Sequence, residues 1–308
     1  MTTPSGQSKR CVAAAAVMLL AQAVARPAAA QSEPRIDLSP GPDTAIIAGS
    51  LLGYWLVSQI PVERRRWTSE LLPFDGATRG AFSKTHMFIS DTLLAATIMA
   101  PIVANLVNRD PDALPKAIVT GEALSLGIFL NAVSKYTVQR PRPYTYCGDQ
   151  ANRDFAISRG GEAYLSFFSS HSLNAFAAAV SGGLLFAYGN SDSEARAVVW
   201  GLEMTLASAT ATERVRAGQH FPSDVLLGAA VGTGIGILVP RAHMRDRSAV
   251  SMHPIEWAAI GGGLVLGTTV AAALPAFHWP AYESRGTTVR LVPSFSGTGA
   301  GLTARGVF

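Results

Sequence analysis

The residues best suited to chemistry lie in one stretch, Glu213-Arg214-Val215-Arg216-Ala217-Gly218-Gln219-His220-Phe221-Pro222-Ser223-Asp224. A histidine followed four residues later by an aspartate places both side chains on one face if the segment is helical. The carboxylate of Asp224 can then hold one imidazole nitrogen of His220 and leave the other to attack or to carry a proton. Arg214, six residues before His220, adds a planar cation suited to an oxyanion. Alone, this spacing serves a general base, a metal ligand or a helix-capping pair equally well.

Two more polar segments stand out in an otherwise apolar chain. Lys135-Tyr136-Thr137-Val138-Gln139-Arg140-Pro141-Arg142-Pro143 closes the apolar block 116–134, and Phe168-Ser169-Ser170-His171-Ser172 opens the block 172–188. The Arg214–Asp224 stretch lies between blocks 197–211 and 223–240. In an up-and-down bundle these four block ends all fall at the same end. One pocket then gathers Lys135, Arg142 and Arg214 with Ser169 and the free amides of the helix after Ser170. Cations, a hydroxyl and a positive helix end ask for an anion, most naturally phosphate. Of the two histidines, His171 and His220, one can attack phosphorus while the other protonates the leaving oxygen. No acidic cluster suggests a metal site, and three fixed cations can neutralise the transition-state oxygens instead. Each piece also has a plain structural role: Lys135 can favour a helix C-terminus, Arg140 and Arg142 can be a solvated loop, and Ser169 or Ser170 can cap a helix.

Taken in order, the three segments resemble the signature of the type 2 phosphatidic acid phosphatase superfamily, K-x6-RP, then PSGH, then SR-x5-H-x3-D. Lys135, Arg142 and Pro143 match the first motif, Ser169 and His171 the second, and Arg214, His220 and Asp224 the third. Arg140-Pro141 is a decoy, two residues too close to Lys135. The resemblance covers roughly residues 85–240. Phe168 stands for the motif's Pro, Ser170 for Gly and Glu213 for Ser. A carboxylate at Glu213 would repel phosphate unless it points away or pairs with Arg216. The resemblance implies that His220 forms a phosphohistidine, that Asp224 fixes its tautomer, and that His171 is general acid and then base. It further implies that Lys135, Arg142, Arg214, Ser169 and the Ser170 amide bind the phosphoryl oxygens, with no metal and no cofactor. The implied activity is hydrolysis of a phosphate monoester or pyrophosphate, of a lipid or a small ester. A vanadate-dependent haloperoxidase and a non-catalytic phosphate-binding envelope protein are the alternatives.

The elements that must position these residues are apolar helices. Of 308 residues, 48% are hydrophobic and only 15% charged, well below a soluble domain's usual quarter. The net charge of +4 is mild, its basic residues cluster at the suspected site and near the chain ends, and a nucleic-acid partner is not expected. Blocks at 44–60, 88–107, 116–134, 172–188, 197–211, 223–240 and 255–275 are near or just under bilayer-spanning length. Glu122, Asn131 and Glu203 within them favour protein-facing contacts. The expected fold is all-α: a six-helix core bundle, an extra C-terminal helix and a short β-hairpin tail around Ser296-Gly297-Thr298-Gly299.

The expected organisation is a signal peptide at 1–30, a linker at 31–43, the helical bundle at 44–250, and a C-terminal helix with hairpin at 251–308. Lys9 and Arg10 before the apolar run Cys11–Ala25, and Ala28-Ala29-Ala30 before Gln31, fit an export signal. Cleavage there would leave Cys147 alone and exclude an intramolecular disulfide. Arg241, Arg245 and Arg247 after the sixth block place that end inside, whereas Glu63-Arg64-Arg65-Arg66 votes the other way. The two cannot both hold if every block spans. The expectation is an exported, membrane-associated envelope protein whose pocket faces the periplasm or exterior.

Overall fold

A computed structural model describes residues 36–63, 73–146, 150–246, 250–274, 288–296 and 299–307. The segment read as an export signal, Cys147, Arg64 to Arg66, Arg247 and the hairpin turn at Gly297-Thr298 lie outside the described residues. The chain divides into two compact units, one running to Leu274 and one from Pro275 onwards.

Eight α-helices build the first unit among the described residues: α1 Pro40–Ser58, α2 Lys84–Val107, α3 Ala113–Val138, α4 Gln150–Arg159, α5 Ser170–Gly189, α6 Ser193–Arg216, α7 Pro222–His243 and α8 Pro254–Ala273. The apolar blocks become helices with ends set by local chemistry. Pro at the first turn opens α1, α7 and α8, where its missing N–H costs nothing. The Asp192 carboxylate accepts the Glu194 and Ala195 amides to open α6. Gln139 ends α3 in the left-handed region at φ 51°, and its side-chain amide donates to the carbonyls of Pro61 and Tyr136. The short α4 was not expected, because its polar sequence lacks an apolar block.

Helix α5 is the centre. It packs against α2, α3, α6 and α7, while α1 lies along α3 and α8 along α6. The segment expected as one piece at 251–308 therefore divides at Leu274: α8 belongs with the bundle. The second unit holds two antiparallel strands, β1 Thr288–Ser296 and β2 Gly299–Val307, with Thr288 opposite Val307 and Ser296 opposite Gly299.

The seam between α5 and α7 is made of backbone. Both helices start at the same end, so they run parallel, and Gly228, Gly232 and Gly236 of α7 lie against the α5 main chain. A methyl on Gly228 would sit 2.6 Å from the Ser169 carbonyl oxygen, and one on Gly236 would sit 2.9 Å from that of Ala177. At Gly232 a methyl would overlap the Leu173 carbonyl, a rigid obstacle that cannot rotate aside. Gly232→Ala is expected to destabilise by about 1–3 kcal/mol through forced separation of the helices. Gly234→Ala, with nothing within 4 Å of the new methyl, should be neutral or stabilising by about 0.5–1 kcal/mol. Thermal melts of the two variants in detergent check this; equal melting points would show that the seam is not tight.

Among the described residues, five helices are long and apolar enough to cross a membrane: α2, α3 with its extension to Tyr146, α5, α7 and α8. α5 is the most enclosed of them, and the outer ones present apolar side chains outwards, such as Leu226 and Leu238 on α7 and Trp257, Val265 and Leu266 on α8. Outward apolar faces of this extent fit membrane association. α1 and α6 are not among the five. Arg245, counted above as a topology signal, pairs with Asp37 at 2.6 Å.

Candidate active site

The ends of α3 and α6 and the starts of α5 and α7 do meet. The Lys135 ammonium on α3 donates to the Ser170 hydroxyl at 3.2 Å. The Ser169 amide, at the start of α5, donates to the Asp224 carbonyl on α7 at 3.0 Å. After Gln139 turns the chain, Arg142 returns towards the loop before α7 and donates to the Gln219 side-chain oxygen at 2.7 Å. It also donates to the Glu162 carbonyl at 3.0 Å. Arg214 reaches Ser90 at 3.2 Å and Asp91 at 3.4 Å, both on α2. Gly218, at φ +67°, lets the chain reverse between Arg214 and His220; any side chain there would strike the Ala81 main chain.

His220 is fully buried. Its Nδ1 lies 2.8 Å from the Ser166 carbonyl oxygen, which can only accept. Nδ1 therefore carries the proton of the neutral ring, and Nε2 carries the lone pair. Nε2 is buried without a hydrogen-bond partner. Burial, then the charges of Arg142, Arg214, Lys135 and His171, push the imidazole pKa well below its ordinary value. The ring is thus an unprotonated nitrogen base facing cations. Burial and Arg142 also draw Arg214 down to about 9, countered by Asp91 and Glu162, and it remains a cation at neutral pH.

Asp224 does not do what its spacing predicted. Its Oδ2 is 3.9 Å from His220 Nδ1, beyond hydrogen-bond reach. The reason is local: α7 begins at Pro222, so His220 precedes the helix and the shared-face argument fails. Asp224 instead accepts the Phe221 amide at 3.0 Å, the Ser166 hydroxyl at 2.6 Å and Arg140 at 2.5 Å. It acts on His220 through Ser166, whose hydroxyl it holds and whose carbonyl orients the ring.

Arg140, dismissed above as a decoy, is buried and central. Its guanidinium bridges Asp224 and Asp75, the latter at 2.8 Å, and lies 4.3 Å from the centre of the Phe221 ring. Asp75 also accepts the Ser223 amide at 3.0 Å and its hydroxyl at 2.7 Å. The Ser169 hydroxyl accepts the Ser172 amide at 3.3 Å, so in this structure it caps α5. The amides of Ser170 and His171, the first two of α5, have no partner among the described residues. Glu213 points away from the pocket, with one oxygen 2.5 Å from His86 Nδ1 and the other 3.1 Å from Arg216. The repulsion raised by its presence beside Arg214 is thereby avoided.

His171 is partly buried, and its Nε2 lies 2.7 Å from Asp91. Asp91, Asp75, Ser166 and Gln219 were all missed in the sequence. Only Asp91 left a trace there, as the lone acid in the apolar block 88–107. Asn131, read as protein-facing, donates to the Phe168 carbonyl at 2.7 Å and so fixes the loop before α5.

Two histidines, three basic side chains and two helix N-termini thus gather at one end of the helical body. Residues 116–248 match the family described as the PAP2 superfamily, the one that the three motifs resemble. Phosphatase activity is the general expectation for that superfamily. No curated protein and no solved structure matches the chain.

Proposed function

We propose that the protein is a metal-independent phosphatase of the cell envelope, acting on a phosphate monoester or pyrophosphate of a lipid through a phosphohistidine on His220. The observation that carries this is the unpartnered, buried Nε2 of His220, fixed as the lone-pair nitrogen by the Ser166 carbonyl. Lys135, Arg142, Arg214 and the amides of Ser170 and His171 surround the phosphoryl oxygens. Nε2 attacks phosphorus, the P–O bond to the leaving group breaks, and His171 gives that oxygen a proton. His171 then takes a proton from water, whose oxygen attacks the phosphohistidine and releases inorganic phosphate and free His220. An incoming phosphoryl group competes with Asp91 for Arg214 and His171.

In this reading α1–α3 and α5–α7 are the six-helix core, and the pocket faces the periplasm or exterior after export. A lipid substrate is supported by a cavity of about 620 Å³ between α5, α6, α7 and α8. Its lining includes Val215 and Pro222, sequence neighbours of Arg214 and Phe221, and continues over Val225, Leu226, Phe176 and Leu264. An acyl or isoprenyl chain suits such a wall.

The test is phosphate release by the full chain in detergent with EDTA, on phosphatidate, undecaprenyl pyrophosphate and a soluble aryl phosphate. Release from a lipid in excess of that from the aryl ester is expected. Inactivity on all three would refute the reading, and halide oxidation only with added vanadate would replace it with a haloperoxidase.

A further inference from the structure

We propose that Asp43, Glu122 and His243 form a binding site for a divalent cation of the zinc type. The three side chains come from α1, α3 and α7, and all are buried. His243 closes α7, whose first turn carries Asp224. At about 1.5 Å per residue, the 22 residues of that helix put the triad roughly 30 Å from the phosphate pocket.

The ligand atoms face one another. His243 Nε2 is 3.4 Å from Asp43 Oδ1 and 3.2 Å from Glu122 Oε2, and all three atoms lie within 4.8 Å of one another. Two ligands held at about 2.0–2.2 Å by a tetrahedral ion stand about 3.4 Å apart. His243 Nδ1 lies 2.9 Å from the Val239 carbonyl and donates to it. That bond leaves Nε2 as the lone-pair nitrogen of a neutral ring, the arrangement by which proteins aim a metal-binding imidazole. The Ser39 amide donates to the other oxygen of Asp43 at 2.8 Å and holds it in place.

A separate observation points to a ligand. Glu122 Oε2 is buried, aimed at the triad and without a hydrogen-bond partner. Its 3.2 Å separation from Nε2 lacks hydrogen-bond geometry. Charge makes the same point. Among the described residues no Lys or Arg pairs with either carboxylate. A proton on His243 would leave the triad at −1, whereas a neutral ring, two carboxylates and a divalent ion sum to zero. An uncompensated buried charge is costly, and the ion removes it. One imidazole and two carboxylates suit zinc, with water as fourth ligand; magnesium prefers an all-oxygen octahedron. Its role would be to clasp α1 to α3 and α7.

The test uses the full chain in detergent, stripped with chelator and then titrated with Co²⁺ or Zn²⁺. One Co²⁺ per chain is expected, with the visible bands of tetrahedral cobalt and no thiolate charge-transfer band. Zinc at a hundredfold excess over Kd should raise Tm by roughly 5–10 °C. Glu122→Gln and His243→Gln should each weaken binding by about 100-fold or more. If one variant does not fold, the other together with the cobalt spectrum decides. Unchanged uptake in the variants, octahedral cobalt alone, or a Tm that ignores zinc would each overturn the proposal.

Discussion

Replacing His220 by glutamine is expected to lower kcat for phosphate release by about 10⁴-fold or more, with the fold retained. Glutamine fills most of the imidazole's volume, and its amide can still donate to the Ser166 carbonyl that Nδ1 engages at 2.8 Å. What it lacks is a nitrogen lone pair at the position of Nε2. No covalent intermediate can then form, so trapping radiolabelled phosphoenzyme at short times should give label on wild type and none on the variant. The acid side of the pH profile is informative as well. Burial and four neighbouring charges hold the His220 pKa well below its ordinary value, so protonation does not quench Nε2 near pH 6.5. The pH below which kcat/KM declines through His220 should therefore lie well under 6.5. Stability moves differently. The unfolded chain takes up the proton at its ordinary pKa while the folded chain refuses it, so His220 costs stability progressively as pH falls below about 6.5. A variant with near-wild-type turnover would remove His220 from the mechanism.

Arg140→Leu should destabilise the folded chain by about 3–5 kcal/mol, the largest effect expected for any residue outside the pocket's own cations. Arg140 is almost fully enclosed, and so are the carboxylates of Asp75 and Asp224 that it bridges. Leucine replaces the volume and the contact with Phe221 but strands two negative charges in one small space. Each keeps hydrogen bonds, Asp75 from Ser223 and Asp224 from Ser166 and Phe221, but neither keeps a cation. Lysine should recover part of the loss, since its single ammonium restores charge but cannot reach both carboxylates as the guanidinium fork does. Thermal melts of the three proteins in one detergent check the order. Arg140→Leu melting with wild type would mean that the bridge contributes nothing. Turnover should fall in step, because Asp224 holds Ser166 and Ser166 holds His220.

The parts of the molecule legible in the sequence are those with a one-dimensional signature. Seven long helices show as apolar blocks, and the pocket shows because chain order alone puts the ends carrying Lys135, His171, Arg214 and His220 together. The polar helix α4 had no such signature. Asp91 and Asp75 meet their partners across 80 and 65 residues respectively, and no spacing rule reaches that far. Asp224 was found but given the wrong neighbour, because its four-residue separation from His220 was read as helical when the helix starts between them. Arg140 failed the motif count at Lys135 and was set aside. The count finds Arg142, the cation proposed to face phosphate; the structure gives Arg140 the inward role of holding the carboxylates of Asp75 and Asp224 behind His220.

The glycine seam between α5 and α7 has a consequence for tolerance. A helix interface lined by leucines can slide and repack by exchanging rotamers, whereas main chain resting on main chain has no such freedom. His171 stands in the first turn of α5, and His220 stands two residues before α7, so hard contact along Gly228, Gly232 and Gly236 also gauges the distance between the two imidazoles. In the proposed mechanism a phosphorus atom must fit between a nitrogen that attacks and a nitrogen that protonates, and an error of about 1 Å there is costly to rate. In this bundle that spacing is kept by residues with no side chain.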